Sequence, residues 1–261
     1  MDLHLAGRSA VVTGASRGIG LAITRALAGE GASVTAGALK GSAELDELTM
    51  RADVRSVKVD LTTTGGPGEL VAAAVDAHGG IDILVNNVGA VRPRLEGFLS
   101  LTDDDWEWSL TINFLAAIRT MRASIPHLAG RPGAGIVTIS SVNAFLPDPG
   151  VIDYSAAKGA LTNVCKSLSK EFGPEIRVNT ISPGPVQTDL WLGSSGVAAT
   201  VGGAIGADPG DVVRRQEAEA ATGRFTTPNE IADLVLFLAS DRSANTTGSD
   251  FVIDGGLVTT L

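Results

Sequence analysis

Short apolar runs alternate with amphipathic stretches along almost the whole chain. Residues 9–13, 33–36, 56–60, 81–85, 136–141, 176–181 and 250–254 are brief runs rich in Val, Ile and Thr. Gly, Asn, Asp or Pro bound most of them, as expected of buried strands. Between them, 21–28, 69–77, 102–128, 154–172 and 229–239 have helical spacing or composition. Thr102, followed by three aspartates, predicts a capped start for 102–128, and Pro126 is expected to kink or end that helix. The strands read as apolar on both faces. Alternation with helices then implies an open, mainly parallel sheet covered on both sides. No linker or shift in composition divides the chain, so 1–261 is read as a single domain. The exception to the alternation is 188–223, rich in Gly, Ala and Ser, with a low-complexity run at 196–206. It reads as one long loop.

In such a sheet, ligands sit at the carboxyl ends of the strands. The first strand runs into Gly14-Ala15-Ser16-Arg17-Gly18-Ile19-Gly20 and then a helix. Strand, glycine loop and helix together build an anion site, because free amides at the helix start point at a phosphate. A plain tight turn is the other reading of those glycines. An acid near the end of the second strand would bind a ribose 2′-hydroxyl. Here that place reads Gly37-Ala38-Leu39-Lys40. With Arg17 and Lys40 nearby, NADP(H) is favoured over NAD(H), although Glu44 and Asp46 follow closely. The fourth strand ends in Asn86-Asn87-Val88-Gly89, which suits a turn or a polar wall beside a ligand.

Tyr154 and Lys158 are one helical turn apart and share a face. A lysine cation there favours the phenolate and draws the hydroxyl toward the working range. The pair alone equally suits an ordinary surface helix. Asn113 interrupts a helical run as a satisfied buried amide or as something more. Trp106 and Trp108 read as packing or subunit-contact residues. Cys165 reads as core, with a reactive thiol as the alternative.

Composition narrows the partners. Of 261 residues, 44% are apolar and 32 are Gly, which implies many tight turns. The net charge of −9 argues against nucleic acid or an anionic membrane as partner. One cysteine allows no internal disulfide, and the three histidines show no metal spacing. No apolar run has the length of a membrane span, and the start lacks the order of a signal peptide. The expectation is a cytoplasmic protein.

Taken together, Thr13 through Gly20, Asp60-Leu61, Asn86-Asn87-Val88-Gly89, Asn113, Ser141, Tyr154-x-x-x-Lys158 and Pro183 through Thr188 resemble the short-chain dehydrogenase/reductase family. The resemblance covers essentially the whole chain, and Ser141 precedes Tyr154 at the family's spacing. Val88 stands where the family usually has Ala. The resemblance implies a Rossmann-type three-layer αβα sandwich with a mainly parallel seven-stranded sheet. It implies hydride transfer between NADP(H) and a carbonyl or secondary alcohol, with Tyr154 as general acid or base. Ser141 would donate to the same substrate oxygen. Lys158 would also hold the nicotinamide ribose, and Asn113 would anchor a water linking Lys158 to solvent. Gly14, Ser16, Arg17, Gly18 and Ile19 would surround the pyrophosphate and adenosine, with Lys40 beside them. Asp60 and Leu61 would meet the adenine, and Asn87 and Gly89 the adenosine ribose. Val186 and Thr188 would contact the carboxamide and phosphates, with Pro183 and Gly184 also binding the cofactor. A homodimer or homotetramer is implied by the family alone.

Residues 189–226 would form a substrate lid, mobile without ligand and closing over a mostly apolar small molecule. Candidate pocket residues are Arg92, Arg94, Val142, Asn143, Phe145, Val151, Gly184 and Trp191. The two arginines raise a 3-oxoacyl-thioester (acyl-carrier) reductase as an alternative. A non-catalytic cofactor-binding regulator is the alternative of another class, and an isomerase or dehydratase on the same fold is a third.

Overall fold

Both faces of most apolar runs are covered, and that makes them strands. The computed structural model describes residues 2–260. Its strands are β1 (Ser9–Thr13), β2 (Ser33–Ala38), β3 (Val54–Lys58), β4 (Ile83–Asn86), β5 (Gly135–Ile139), β6 (Arg177–Pro183) and β7 (Asp250–Ile253). All neighbours pair in parallel, in the order β3-β2-β1-β4-β5-β6-β7. Successive side chains point to opposite faces. Ala10 and Val12 therefore enter one apolar cluster, while Val11 enters the other. Ile83 and Val85 against Leu84 repeat that split.

The helices are α1 (Gly18–Gly29), α2 (Ala43–Arg51), α3 (Gly66–His78), α4 (Asp103–Leu110), α5 (Ala116–Leu128), α6 (Ile152–Glu171), α7 (Asp189–Leu192), α8 (Val197–Ile205), α9 (Pro209–Glu219) and α10 (Pro228–Ala239). Buried residues of α1, α2 and α10 join the first cluster, and those of α3, α5 and α6 the second. The result is a Rossmann-type αβα sandwich with a seven-stranded parallel sheet. The strand order reverses between β1 and β4, which opens a crevice at their carboxyl ends. Among the described residues, no single helix is long and apolar enough to cross a membrane.

Four features differ from the sequence reading. β3 is not apolar on both faces, because Arg55, Ser56 and Lys58 are exposed at the sheet edge. Charges there hinder pairing with another strand. The helix expected over 102–128 is α4 and α5 joined by a π turn, Thr111–Leu115. Pro126 lies in the last turn of α5, which ends at Leu128. The unpredicted α2 is capped by Ser42, whose side chain accepts from the Leu45 amide, and has Glu44 and Asp46 in its first turn. Finally, the expected loop at 188–223 contains α7, α8 and α9. A Cβ on Gly202 would sit 2.8 Å from the Ala207 carbonyl oxygen, so glycine lets the turn after α8 fold back. Asp208 then caps α9 by accepting from the Gly210 amide at 2.8 Å.

Candidate functional site

The glycine loop joins β1 to α1. Gly14 and Gly18 have φ of +64° and +52°, a region glycine favours. A Cβ on Gly14 would lie 3.0 Å from Asn87 Nδ2, and one on Gly20 only 2.2 Å from the Gly14 carbonyl oxygen. The loop is therefore folded tightly on itself and on the end of β4. Asn87 ties the two strand ends together. Its side chain donates to the carbonyl oxygens of Thr13 and Gly14 at 3.0 and 3.2 Å, and its amide donates to Thr13 Oγ1 at 2.8 Å.

The structure fits the dinucleotide that the sequence implies. α1 begins with no side-chain cap and no acid in its first turn, unlike α2, α4 and α10. Its free amides can therefore serve an anion. A Cβ on Gly18 would stand 3.1 Å from Thr188 Cγ2, and one on Gly89 3.0 Å from Asn113 Oδ1. These glycines keep a passage open along the strand ends. Asp60 Oδ1 accepts from the Thr62 amide and hydroxyl at 2.9 and 2.7 Å, and these bonds hold its carboxyl below the usual range. Leu61 beside it in sequence is buried. Arg17 and Lys40 are exposed at the neighbouring ends of β1 and β2. Glu44 and Asp46 face solvent in the first turn of α2, where acids favour the helix dipole.

A cavity of about 410 Å³ opens from this passage. Ile19, Asn87 and Gly89 form one end, and Pro183, Gly184, Val186 and Thr188 a side. Ser141, Tyr154 and Lys158 all line it. Tyr154 and Lys158 share a face of α6, with Lys158 Nζ 5.6 Å from the Tyr154 ring centre. That nitrogen is buried and donates to the Ile139 carbonyl oxygen at 2.9 Å. Ser141 follows β5, and its hydroxyl donates to Asn143 Oδ1 at 3.1 Å and accepts from the Asn143 amide at 3.2 Å.

Burial governs the acid–base properties here. It pushes the Tyr154 hydroxyl above its ordinary value, and the neighbouring Ser141 hydroxyl offsets part of the rise. It also pushes the Lys158 ammonium down to about 8. The expectation that Lys158 draws Tyr154 downward is thus corrected for the protein by itself. Lys158 is buried and Tyr154 half-buried in one wall, and desolvation opposes the charged form of each.

Asn113 sits in the π turn, a distortion frequent at functional sites. Its Oδ1 accepts from the Ala90 amide at 2.9 Å. Its Nδ2 donates to the carbonyl oxygens of Ala90 and Ser109 at 2.8 and 3.1 Å. Asn113 therefore clamps the loop after β4 against the helix behind Lys158.

The structure divides the candidate pocket residues. Val142, Asn143, Val151, Gly184 and Trp191 line the cavity, whereas Arg92, Arg94 and Phe145 do not. The Arg92 guanidinium lies 3.7 Å over the Trp108 ring. Arg94 bonds Asp105 at 2.8 Å, and its Nε donates to buried Asp153 at 3.1 Å. Trp106 and Trp108 are half-buried rather than exposed. Phe145 lines a separate cavity on another face of α6, beside Cys165. Burial raises that thiol to about 11, which suits core rather than a reactive thiol. Sequence reasoning missed Leu146, Gln216, Glu219 and Leu257 as cavity residues. The unread signal was the Asp208-Pro209 start of α9, which carries Gln216 and Glu219 to the cavity.

Comparisons with known proteins agree with this fold. The family model described as Enoyl-(Acyl carrier protein) reductase matches residues 14–258. A 3-oxoacyl-[acyl-carrier-protein] reductase, FabG of Chlamydia pneumoniae, is 33% identical over 98% of this chain and 99% of its own. The oxidoreductase UcpA of Salmonella typhimurium is 35% identical over 97% of this chain and 95% of its own. Among solved structures, L-sorbose reductase of Gluconobacter frateurii, complexed with NADPH and L-sorbose, superposes with a TM-score of 0.91. It is 32% identical, and the match covers 100% of both chains. With a glycine loop beside the β1–β4 crevice and a serine, tyrosine and lysine on one wall, the chain belongs to the short-chain dehydrogenase/reductase family, nicotinamide-dependent oxidoreductases acting on CH–OH or carbonyl groups.

Proposed function

We propose that the protein is an NADP(H)-dependent carbonyl reductase or secondary-alcohol dehydrogenase with Tyr154 as general acid or base. The observation that carries this reading is the convergence of Ser141, Tyr154 and Lys158 on the wall of one cavity that continues to the glycine loop. A dinucleotide held by the glycine loop and the β4 end at Asn87 and Gly89 would supply or accept the hydride. Tyr154 gives a proton to the substrate oxygen in reduction and takes it back in oxidation. Ser141 donates to the same oxygen, where negative charge develops. Lys158 orients the pair from behind and, being pushed to about 8, is positioned to exchange a proton near neutrality. Asn113 fixes the loop at Ala90 that closes this end.

Three features support NADP(H) over NAD(H): no acid ends β2, Arg17 and Lys40 are exposed there, and Glu44 and Asp46 belong to α2. Residues 189–226 act as the substrate lid, because Leu190, Trp191, Val197, Gln216 and Glu219 reach the cavity from it. Reduction of a 3-oxoacyl thioester is a second reading, favoured by similarity to the carrier-protein reductases. The test is cofactor consumption with a panel of ketones under NADPH and NADH. Turnover with a lower KM for NADPH is expected. Tight NADPH binding with no turnover of any carbonyl would instead favour a binding protein.

A further inference from the structure

Charges on the wall of the catalytic cavity are uneven. Two carboxylates line it, Asp148 on the loop before α6 and Glu219 at the end of α9, against one cation, Lys158. Lys158 is buried at the floor and donates to the Ile139 carbonyl oxygen, so it offers no charge to the cavity mouth. Arg92 and Arg94 follow Val91, a wall residue, yet both are engaged elsewhere, with Trp108 and with Asp105 and Asp153. An anionic substrate would therefore meet two like charges on the wall, whose one lining cation is buried Lys158, on a chain of net charge −9.

The remaining polar groups suit hydroxyls. Asn143 and Gln216 each bring an amide to the wall, among Val142, Val151, Trp191 and Leu257. Gln216 Nε2 donates to a Glu219 carboxylate oxygen at 2.7 Å, which holds that carboxylate in place on the lid. Carboxylate and amide oxygens accept from hydroxyl donors, while the apolar residues cover the carbon skeleton. We propose that this cavity selects neutral, hydroxylated carbonyl compounds and the matching alcohols over anionic ones, with Glu219 as the discriminating residue. The proposal rests on the carbonyl-reductase reading and adds a charge class to it.

The test uses the full chain with NADPH and two ketones of one carbon skeleton, neutral 5-hydroxypentan-2-one and anionic 4-oxopentanoate. The neutral ketone is expected to have the higher kcat/KM, by about tenfold at low salt. Glu219→Gln should cut that ratio about threefold, and Glu219→Lys about tenfold, with both effects shrinking as salt rises. A ratio of two substrates is insensitive to partial loss of folded protein. A second pair separates charge from thioester chemistry: the 3-oxobutanoyl thioesters of N-acetylcysteamine, which is neutral, and of polyanionic coenzyme A. The neutral thioester should again be preferred. Preference for either anion, or a ratio unmoved in Glu219→Lys, overturns the inference and leaves the carbonyl-reductase reading standing. No turnover of any of the four substrates would remove that reading and the selectivity with it.

Discussion

On the floor of the cavity, Ser141 and Lys158 are 7% and 3% exposed, and Asn113 behind them is 0% exposed; each bonds to main chain. On the lid, α7 and α9 bury no residue, and Leu190, Leu192 and Ile205 stay exposed. The floor belongs to the sheet and its long helix, whereas the lid is three short helices joined by glycine-containing turns. Groups that must be held to within a fraction of an ångström sit where packing determines their positions. In the proposed lid, the groups that would contact the substrate sit where packing is thin. Floor substitutions should therefore act on kcat or on the fold, and lid substitutions on KM and selectivity.

The largest effect that would break this comparison is expected at Lys158. Lys158→Met should lower kcat by about 10²-fold or more, while a lid variant should not. The same variant also tests the burial argument. Folding moves Lys158 from its ordinary 10.5 down to about 8. Between those values the unfolded chain binds more protons, so stability from this group rises with pH across the window. Below pH 8 the buried ammonium costs the fold up to about 3 kcal/mol, and the cost vanishes by about pH 10.5. Denaturation of wild type and Lys158→Met at several pH values should show the variant's relative stability declining from pH 8 to 10.5. A pH-independent difference would contradict the burial argument.

Next in size is Gly20→Ala. Its Cβ would sit 2.2 Å from the Gly14 carbonyl oxygen, and that oxygen is backbone. The loop must shift, at about 1–3 kcal/mol, and dinucleotide affinity should fall with it. Calorimetric binding of NADPH alongside thermal melting checks both. The smallest effect is expected on the lid. Trp191 packs edge-on against buried Phe225, with ring centres 5.2 Å apart, and lines the cavity. Trp191→Ala should raise KM about tenfold and change kcat by less than about threefold. A kcat loss as large as that of Lys158→Met would erase the distinction between floor and lid.

The same contrast explains what was legible in the sequence. Val11, Leu84 and Ile136 stand in runs buried on both faces, so the strands were visible as apolar blocks. Tyr154 and Lys158 were visible as a pair because helical geometry alone brings them to one face. α2 was missed because it buries only Leu45 and so shows little apolar periodicity. α8 and α9 were hidden by glycines that serve close turns, as Gly202 does. Arg92 and Arg94 looked free because their partners, Trp108 and Asp153, are distant in sequence. Gln216 and Glu219 reach the cavity only through the folding of the lid, which no local pattern announces.

The central claim is that Tyr154 moves the proton, and Tyr154→Phe tests it most directly. The change removes one hydroxyl and keeps the ring beside Lys158. Single-turnover reduction of a ketone and NADPH affinity should be measured on the same preparation. The expected result is a rate lowered about 10²–10⁴-fold with NADPH affinity within about threefold of wild type. An undiminished rate with intact binding would contradict the account.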